Sequence, residues 1–139
     1  MDASLISSRQ MDNAVAIKSS KDATRLIFTD VTKEAFSALL EGENFSARTL
    51  VSMYISGPPS ALFDEMARDW SGWKGTKIWA ALEDELRIEA SADLMGHISL
   101  AVTMREYSDP TNWRLKATLE LEAGQLPELA KAVRKPFQN

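Results

Sequence analysis

Residues 97–105, HISLAVTMR, and residues 113–122, WRLKATLELE, decide the fold class of this chain. In both segments apolar side chains alternate with polar or small ones, a period of two that is typical of a strand with one buried face and one solvated face. Residues 108–112, SDPTN, lie between the segments and have the composition of a turn. The pattern therefore predicts an antiparallel hairpin.

The preceding sequence extends this hairpin into a larger sheet. Residues 86–90, LRIEA, and residues 78–82, IWAAL, show the same alternation, and the acidic run at residues 83–85 separates them as a turn. A further turn is expected at residues 91–93. Residues 77–122 are thus predicted to form a meander of four antiparallel strands.

Two helices are predicted on either side of the meander. The breaker sequence GPPS at residues 57–60 opens a helix over residues 60–70, and Pro127 lies near the first turn of a helix over residues 125–135. Each helix has one apolar stripe, formed by Leu62, Phe63, Met66 and Trp70 in the first and by Leu126, Leu129, Ala130, Val133 and Phe137 in the second. We expect both stripes to face the apolar side of the sheet.

The first half of the chain carries shorter β-like runs. They cover residues 14–18, 25–30 and 49–55. Residues 32–41, TKEAFSALLE, are ambiguous, because Ala, Leu, Glu and Lys favour a helix whereas the alternation of apolar positions favours a strand. A strand is preferred there, since the neighbouring segments on both sides are predicted strands.

These elements and the length of 139 residues predict a single α+β domain. It consists of a twisted antiparallel sheet of about six to eight strands, with one central and one C-terminal helix packed on it. The domain is expected to span residues 13–139. Residues 1–12 are polar and are predicted to form a loose N-terminal lead-in.

Composition excludes several classes of function. The 16 basic and 20 acidic residues give a net charge of −4, which argues against nucleic-acid binding driven by charge. No run approaches the ~20 apolar residues of a membrane-spanning helix, and no secretion signal is recognisable, so a cytoplasmic protein is expected. With no cysteine and a single histidine, His97, the sequence predicts no metal site, no cofactor and no enzymatic activity.

Acidic residues are concentrated in the first predicted helix and in the turn that follows residue 82. One reading is ordinary solvated surface, and another is a pair of carboxylates for acid–base chemistry. A third reading is a set of contacts for a basic partner. Under the third reading the partner-binding residues are Asp64, Asp69, Glu83, Asp84 and Glu85.

Residues 69–79, DWSGWKGTKIW, place three tryptophans and two glycines between a predicted helix and a predicted strand. We call this segment the tryptophan corner. Large aromatic side chains dominate core energetics and glycine permits sharp turns, so the corner is predicted to be structural and to close one end of the core. The residues assigned to it are Trp70, Gly72, Trp73, Gly75 and Trp79. The alternative is that its indole rings stack on a sugar or a base.

The corner and four later motifs resemble a known family. Residues 63–75, FDEMARDWSGWKG, are followed by WAALE at 79–83, GHISL at 96–100, Trp113 and EAGQL at 122–126. In this order they resemble a small bacterial family of domains of unknown function that is similar to the WapI-type immunity proteins. The resemblance implies a small cytoplasmic protein that binds and neutralises a toxin, and it carries over no catalytic residue.

The expected function is therefore that of a non-catalytic cytoplasmic binding protein, an immunity protein that neutralises a cognate bacterial toxin by direct binding. The resemblance and the acidic balance imply a basic, nuclease-like toxin domain as the partner. Two alternatives stay open. One is a module that binds a small ligand, a sugar or a nucleotide, at the tryptophan corner, and the other is an enzyme that uses carboxylates.

Overall fold

In a computed structural model, which describes residues 13–138, the chain forms eight β-strands and two α-helices. In chain order the elements are β1 (Val15–Lys18), β2 (Arg25–Thr29), β3 (Ala35–Glu41), β4 (Ser46–Ser52), α1 (Ser60–Arg68), β5 (Lys77–Ala80), β6 (Leu86–Ala92), β7 (His97–Arg105), β8 (Arg114–Glu122) and α2 (Leu126–Arg134). Short 3₁₀ segments, Ala123–Gln125 and Lys135–Phe137, flank α2. The predicted lead-in at residues 1–12 lies outside the described residues.

The strands form two antiparallel sheets of four strands each. The first sheet has the order β1-β2-β3-β4 and the second has the order β5-β6-β7-β8, so each is a meander. The chain completes the first sheet, forms α1 and only then begins the second. The predicted α+β class, the antiparallel pairing and the two helices are confirmed, whereas the division into two sheets did not follow from the pattern of alternation.

The second sheet contains the predicted four-stranded meander. β7 and β8 pair over their whole length, with His97 opposite Glu122. β5 is shorter than predicted and ends at Ala80, because the chain already turns at the next residue, where the Ala81 N–H donates to the carbonyl of Leu86 at 3.0 Å. The alternation along β7 places four side chains in the core: Ile98, Leu100, Val102 and Met104.

In the first sheet, residues 32–41 contribute β3, so the preferred reading of this ambiguous segment as a strand is confirmed. Its alternate apolar side chains are fully buried: Phe36, Ala38 and Leu40. Their burial against the rest of the protein outweighs the helix propensity of the segment. β4 lies earlier than the predicted 49–55, because a tight turn at Gly42, whose N–H donates to the carbonyl of Phe45 at 2.9 Å, returns the chain at once.

The two helices pack against each other, and each also contacts a different sheet. α1 contacts β5 and α2 contacts β1, while an ion pair of 3.3 Å between Asp64 and Arg134 links the helices. Their buried apolar residues are Leu62, Phe63 and Met66 in α1 and Leu126, Ala130 and Val133 in α2. Within the described part of the chain, no helix has the length and apolar character needed to cross a membrane.

Four aromatic side chains join the two sheets to the C-terminal segment. Phe28 of β2 and Phe36 of β3 meet edge to face, with ring centroids 5.1 Å apart. Phe137 contacts both rings, at 5.9 and 5.3 Å, and Trp79 of β5 lies 6.3 Å from Phe36. We call these four residues the aromatic junction. Here both sheets and the end of the chain bury apolar surface in one core.

Hydrogen bonds tie the sheets together at two further places. In the turn after β1, the Ser20 N–H donates to the Glu120 carbonyl at 2.8 Å, and the Glu120 N–H donates to Ser19 Oγ at 3.0 Å. At the end of β4, the Ser52 N–H donates to the Glu85 carboxylate at 2.9 Å. The first sheet therefore holds the second at the turn after β5 and along β8.

Trp70 corrects one expectation from the sequence. The sequence predicts Trp70 on the buried stripe of the first helix, but α1 ends at Arg68 and the Trp70 side chain is 55% exposed. Trp79 is 6% exposed and belongs to the aromatic junction. The two tryptophans must therefore differ in their contribution to stability.

We predict that Trp79→Ala lowers the free energy of unfolding by about 3–5 kcal/mol, the range for truncating a large buried aromatic residue. Trp70→Ala is expected to change it by about 0.5 kcal/mol or less, as for other surface substitutions. Trp79→Phe should recover part of the loss, because the Trp79 indole N–H has no hydrogen-bond partner among residues 13–138. Urea unfolding followed by circular dichroism measures all three, and equal losses at positions 70 and 79 would contradict the prediction.

Candidate functional site

The acidic turn between β5 and β6 does not present three exposed carboxylates. Glu83 and Asp84 are exposed, but Glu85 is fully buried, so the expectation that Glu85 is an exposed acid is wrong. Its Oε2 accepts the Ser52 N–H, and its backbone carbonyl accepts the Arg105 N–H at 3.1 Å. Glu85 is therefore a residue that joins the sheets, and Glu83 and Asp84 alone form what we call the acidic turn.

The acids of α1 and of the residue that follows it are engaged in ion pairs within the chain. Asp64 binds Arg134, as described above, and Asp69 binds Lys77 Nζ at 2.7 Å. Lys77 also contacts Glu65 at 3.2 Å. The hydrogen bond from Lys77 lowers the pKa of the Asp69 carboxyl below its usual value. These carboxylates already have cationic partners, which reduces what they offer to another protein.

The five acids predicted to bind a partner do not form one surface. Asp69 is held at Lys77, the first residue of β5, whereas Glu83 and Asp84 follow the last residue of the same strand. Asp64 lies on the side of α1 that faces α2. Asp69 and the acidic turn thus lie at opposite ends of β5, and Asp64 is drawn toward α2.

The tryptophan corner is shaped by two glycines and one indole hydrogen bond. Gly72 and Gly75 have φ angles of 123° and 76°, which glycine adopts without steric cost. The Trp73 indole N–H donates to the carbonyl of Ala90 on β6 at 3.1 Å. Lys77 Nζ lies 5.2 Å from the centre of the Trp73 ring, so a cation of the chain itself covers one face of this indole.

A groove lies between the tryptophan corner and the turn from β6 to β7. Residues 71–75 and residues 92–94 line it, and its volume is about 730 Å³. Leu94 at this groove is fully exposed, and the next residue, Met95, is 80% exposed. We call this feature the corner groove. It combines an open concave surface with two apolar side chains that no part of the described chain covers.

Asp93 gives the turn between β6 and β7 a defined shape. Its Oδ1 accepts the N–H of Met95 at 2.8 Å and the N–H of His97 at 3.0 Å. Its Oδ2 lies 3.2 Å from Nδ1 of the His97 ring. Because an ionised carboxylate only accepts hydrogen bonds, Nδ1 of the neutral imidazole carries the proton and Nε2 keeps a free lone pair.

Two carboxylates of β8 lie on the other side of the His97 ring. Glu122 Oε2 is 3.9 Å from His97 Nε2, and one ligand atom from each of His97, Glu120 and Glu122 lies within 4.8 Å of the other two. With Asp93 these residues form what we call the histidine cluster. In the sequence these residues are separate polar positions. The cluster could therefore have been predicted only from the pairing of His97 with Glu122.

The acids of the histidine cluster control the titration of its imidazole. The hydrogen bond and the charge of Asp93, with smaller effects of Glu122 and Glu120, raise the pKa of His97 above 6.5. The backbone hydrogen bond from His97 is the largest of the effects that lower the pKa of Asp93. Because folding favours the protonated imidazole, its contribution to stability is complete below pH 6.5 and is lost as the pH rises through the folded-state pKa.

A second exposed apolar patch lies on the loop between β4 and α1. Tyr54 and Ile55 are 69% and 77% exposed, and they border a cavity of about 600 Å³. Ile55 has a φ of 67°, a strained value for a β-branched residue. This patch shares no residue with the corner groove and offers a control surface of similar exposure.

Glu85→Ala is predicted to lower the free energy of unfolding by about 1–3 kcal/mol, because the Ser52 N–H loses its acceptor. Glu85→Gln should cost less, since the amide oxygen still accepts this bond. Glu83→Ala, at an exposed position of the same turn, is the matched control and should change the stability by about 0.5 kcal/mol or less. Urea unfolding of the three variants checks the order, and a Glu83 variant as unstable as Glu85→Ala would refute it.

Asp93→Asn is predicted to lower the pKa of His97 toward its ordinary value. The amide keeps an oxygen for the two backbone N–H groups but removes the charge and the acceptor at Nδ1. Since His97 is the only histidine in the sequence, a histidine-selective NMR titration of the tag-free protein reads this pKa directly. Asp109→Asn, at the far end of β7, should leave it unchanged, and an unaltered pKa in Asp93→Asn would show that Asp93 does not control the imidazole.

Comparison with known proteins places the whole described fold within one family. Residues 14–139 match the family of unknown function DUF6228, which confirms the expected membership in a family of domains of unknown function. No curated protein matches the chain significantly. The match includes both sheets, both helices, the corner groove and the histidine cluster. The chain therefore belongs to DUF6228, a family of proteins of unknown function.

Proposed function

We propose that the protein is a non-catalytic binding protein that neutralises a bacterial toxin domain by direct contact, as an immunity protein does. The contact is made by the corner groove, with Leu94 and Met95 as its apolar anchors. The partner is a basic protein domain that inserts an apolar side chain into the groove. The exposure of Leu94 and Met95 on a preorganised turn is the observation that carries this proposal.

Exposed apolar side chains support binding most strongly where their backbone is already fixed. Asp93 accepts two backbone N–H groups within the turn, so Leu94 and Met95 stand on a rigid segment. A partner that covers them gains apolar burial without first ordering a loop. Methionine adapts its shape to the surface it meets, which suits it to such a contact.

The charges beside the groove support a basic partner. Asp93 lines the groove, and Glu120 and Glu122 continue from it through the histidine cluster, while Lys74 is a cation of the opposite wall. Three carboxylates near one rim favour lysine and arginine side chains on the approaching surface. Opposite potentials mainly raise the association rate, and burial of the apolar anchors then provides affinity.

The alternatives have weaker support at the same place. Stacking of a sugar or a base would use the indole of Trp73, but Lys77 covers one face of this ring and the ring edge is bound to Ala90. Trp79 is buried in the aromatic junction, and Trp70 stands alone as an exposed ring of the corner. The choice of a toxin as the partner is supported by the resemblance of the sequence motifs to immunity proteins. DUF6228 itself carries no functional description.

Co-expression with the toxin domain encoded by the neighbouring gene tests the proposal, scored by growth rescue and by the dissociation constant of the purified pair. Leu94→Asp/Met95→Asp is predicted to weaken binding by about 10–100-fold and to abolish rescue, because the burial of both apolar anchors is lost and attraction of the new carboxylates to a basic partner does not replace it. The melting temperature should stay unchanged, since both side chains are exposed in the free protein.

Two double variants serve as controls. Tyr54→Asp/Ile55→Asp changes the second apolar patch in the same way, and Glu83→Lys/Asp84→Lys reverses the acidic turn, roughly 20 Å away along β6. Both should retain rescue. Loss of binding in a control with none in Leu94→Asp/Met95→Asp would move the interface away from the groove. A wild-type protein that neither binds nor neutralises that toxin domain would overturn the proposed function.

A further inference from the structure

We propose that His97, Glu120 and Glu122 form a binding site for a zinc ion, in which Asp93 orients the histidine. The site lies on the solvent-facing side of the second sheet, beside the corner groove. The sequence predicted no metal site, because it contains a single histidine and no cysteine. The inference does not rest on the proposed function, since the site is complete within this chain.

Strand pairing brings the three ligands to one face. His97 lies directly opposite Glu122 in the β7–β8 ladder, and Glu120 precedes Glu122 by two residues. Side chains two residues apart on a strand point to the same side of a sheet. The intervening Leu121 and the following Ile98 point to the core and are buried, which leaves the ligand set on the outer face.

The distances between the ligand atoms suit a common ion. Two ligand atoms bound to one tetrahedral zinc at about 2.0–2.2 Å lie about 3.4 Å apart. His97 Nε2 and Glu122 Oε2 are 3.9 Å apart, and all three ligand atoms lie within 4.8 Å of one another. Rotation of partly exposed glutamate side chains closes the remaining gap without moving either strand.

Asp93 gives the histidine the form that a metal requires. Its Oδ2 accepts the Nδ1 proton, so the lone pair of the neutral ring is on Nε2, the atom that faces Glu122. A carboxylate bonded to the far nitrogen of a ligating histidine is the usual supporting interaction in zinc sites. The two backbone bonds to Oδ1 hold this carboxylate in place.

Both glutamates are also positioned by the fold. The backbone of Glu120 is bonded on one side to Ser19 and Ser20, which fixes the point from which its side chain extends. Glu122 forms a capping box with Gln125, in which the Glu122 backbone N–H donates to Gln125 Oε1 at 2.9 Å. This bond fixes the backbone from which the Glu122 side chain extends and leaves its carboxylate available to a metal ion.

The donor set selects the class of metal. One imidazole nitrogen and two carboxylate oxygens suit zinc, whereas Ca²⁺ and Mg²⁺ prefer sites made of oxygen alone. Three protein ligands leave a fourth position for water or for a side chain of a partner. The His97 side chain is 41% exposed, so an ion can reach it directly from solvent.

The test is a titration of the full, tag-free, chelator-treated chain with ZnCl₂, followed by calorimetry and by the NMR resonances of the single imidazole. We expect one zinc per chain and a shift of the His97 resonances on binding. Absence of binding, or binding that leaves the His97 resonances in place, would overturn the site. Ca²⁺ bound as tightly as zinc would overturn its assignment to zinc.

Four variants complete the test. His97→Ala should abolish binding, and Glu120→Gln should weaken it at least 10-fold. Asp93→Asn should weaken it by about 10–100-fold, because its amide presents a donor to Nδ1 and favours the wrong tautomer. Glu89→Gln, on the outer face of β6, is the matched control and should bind zinc as the wild type does. Unchanged affinity in His97→Ala or Asp93→Asn would refute the proposal. No toxin enters these measurements, so their outcome is separable from that of the rescue experiment.

Discussion

Contact between Phe36 and Trp79 is the interaction on which the rest of the structure depends, because it joins two sheets that share no strand. Phe137 closes the same junction from the end of the chain, against Phe28 and Phe36. A four-stranded antiparallel sheet has one apolar face to bury, and here each sheet provides cover for the other together with the two helices. The junction therefore turns two local meanders into one core.

Hydrogen bonds at the margins of the two sheets also hold surface residues in place. Ser19 and Ser20 bond to the backbone of Glu120, so the first sheet fixes a strand that carries part of the histidine cluster. Glu85 performs a similar role at the other end of the second sheet, with a buried carboxylate in place of the exposed acid that its sequence context indicated. Polar side chains thus connect the sheets where aromatic contacts do not reach.

The corner groove and the histidine cluster lie at the same end of the second sheet. The corner groove offers apolar anchors on a turn that Asp93 rigidifies, and the same carboxylate orients His97 toward Glu122. The proposed partner-binding surface and the proposed metal site therefore share Asp93 as a structural support. An ion in the cluster would also reduce the negative charge beside the groove, which would change the electrostatic preference for a partner.

The sequence by itself determined the α+β class, the meander of residues 77–122 and the strand at β3, because alternation and turn composition are local properties. Tertiary structure alone decided the burial of Glu85, the exposure of Trp70 and the assembly of the histidine cluster. Each depends on which distant segments meet. For example, Ser19 Oγ accepts a hydrogen bond from the N–H of Glu120, 101 positions later. Such meetings are set by the packing of two sheets around one core, and no local period in the sequence encodes them.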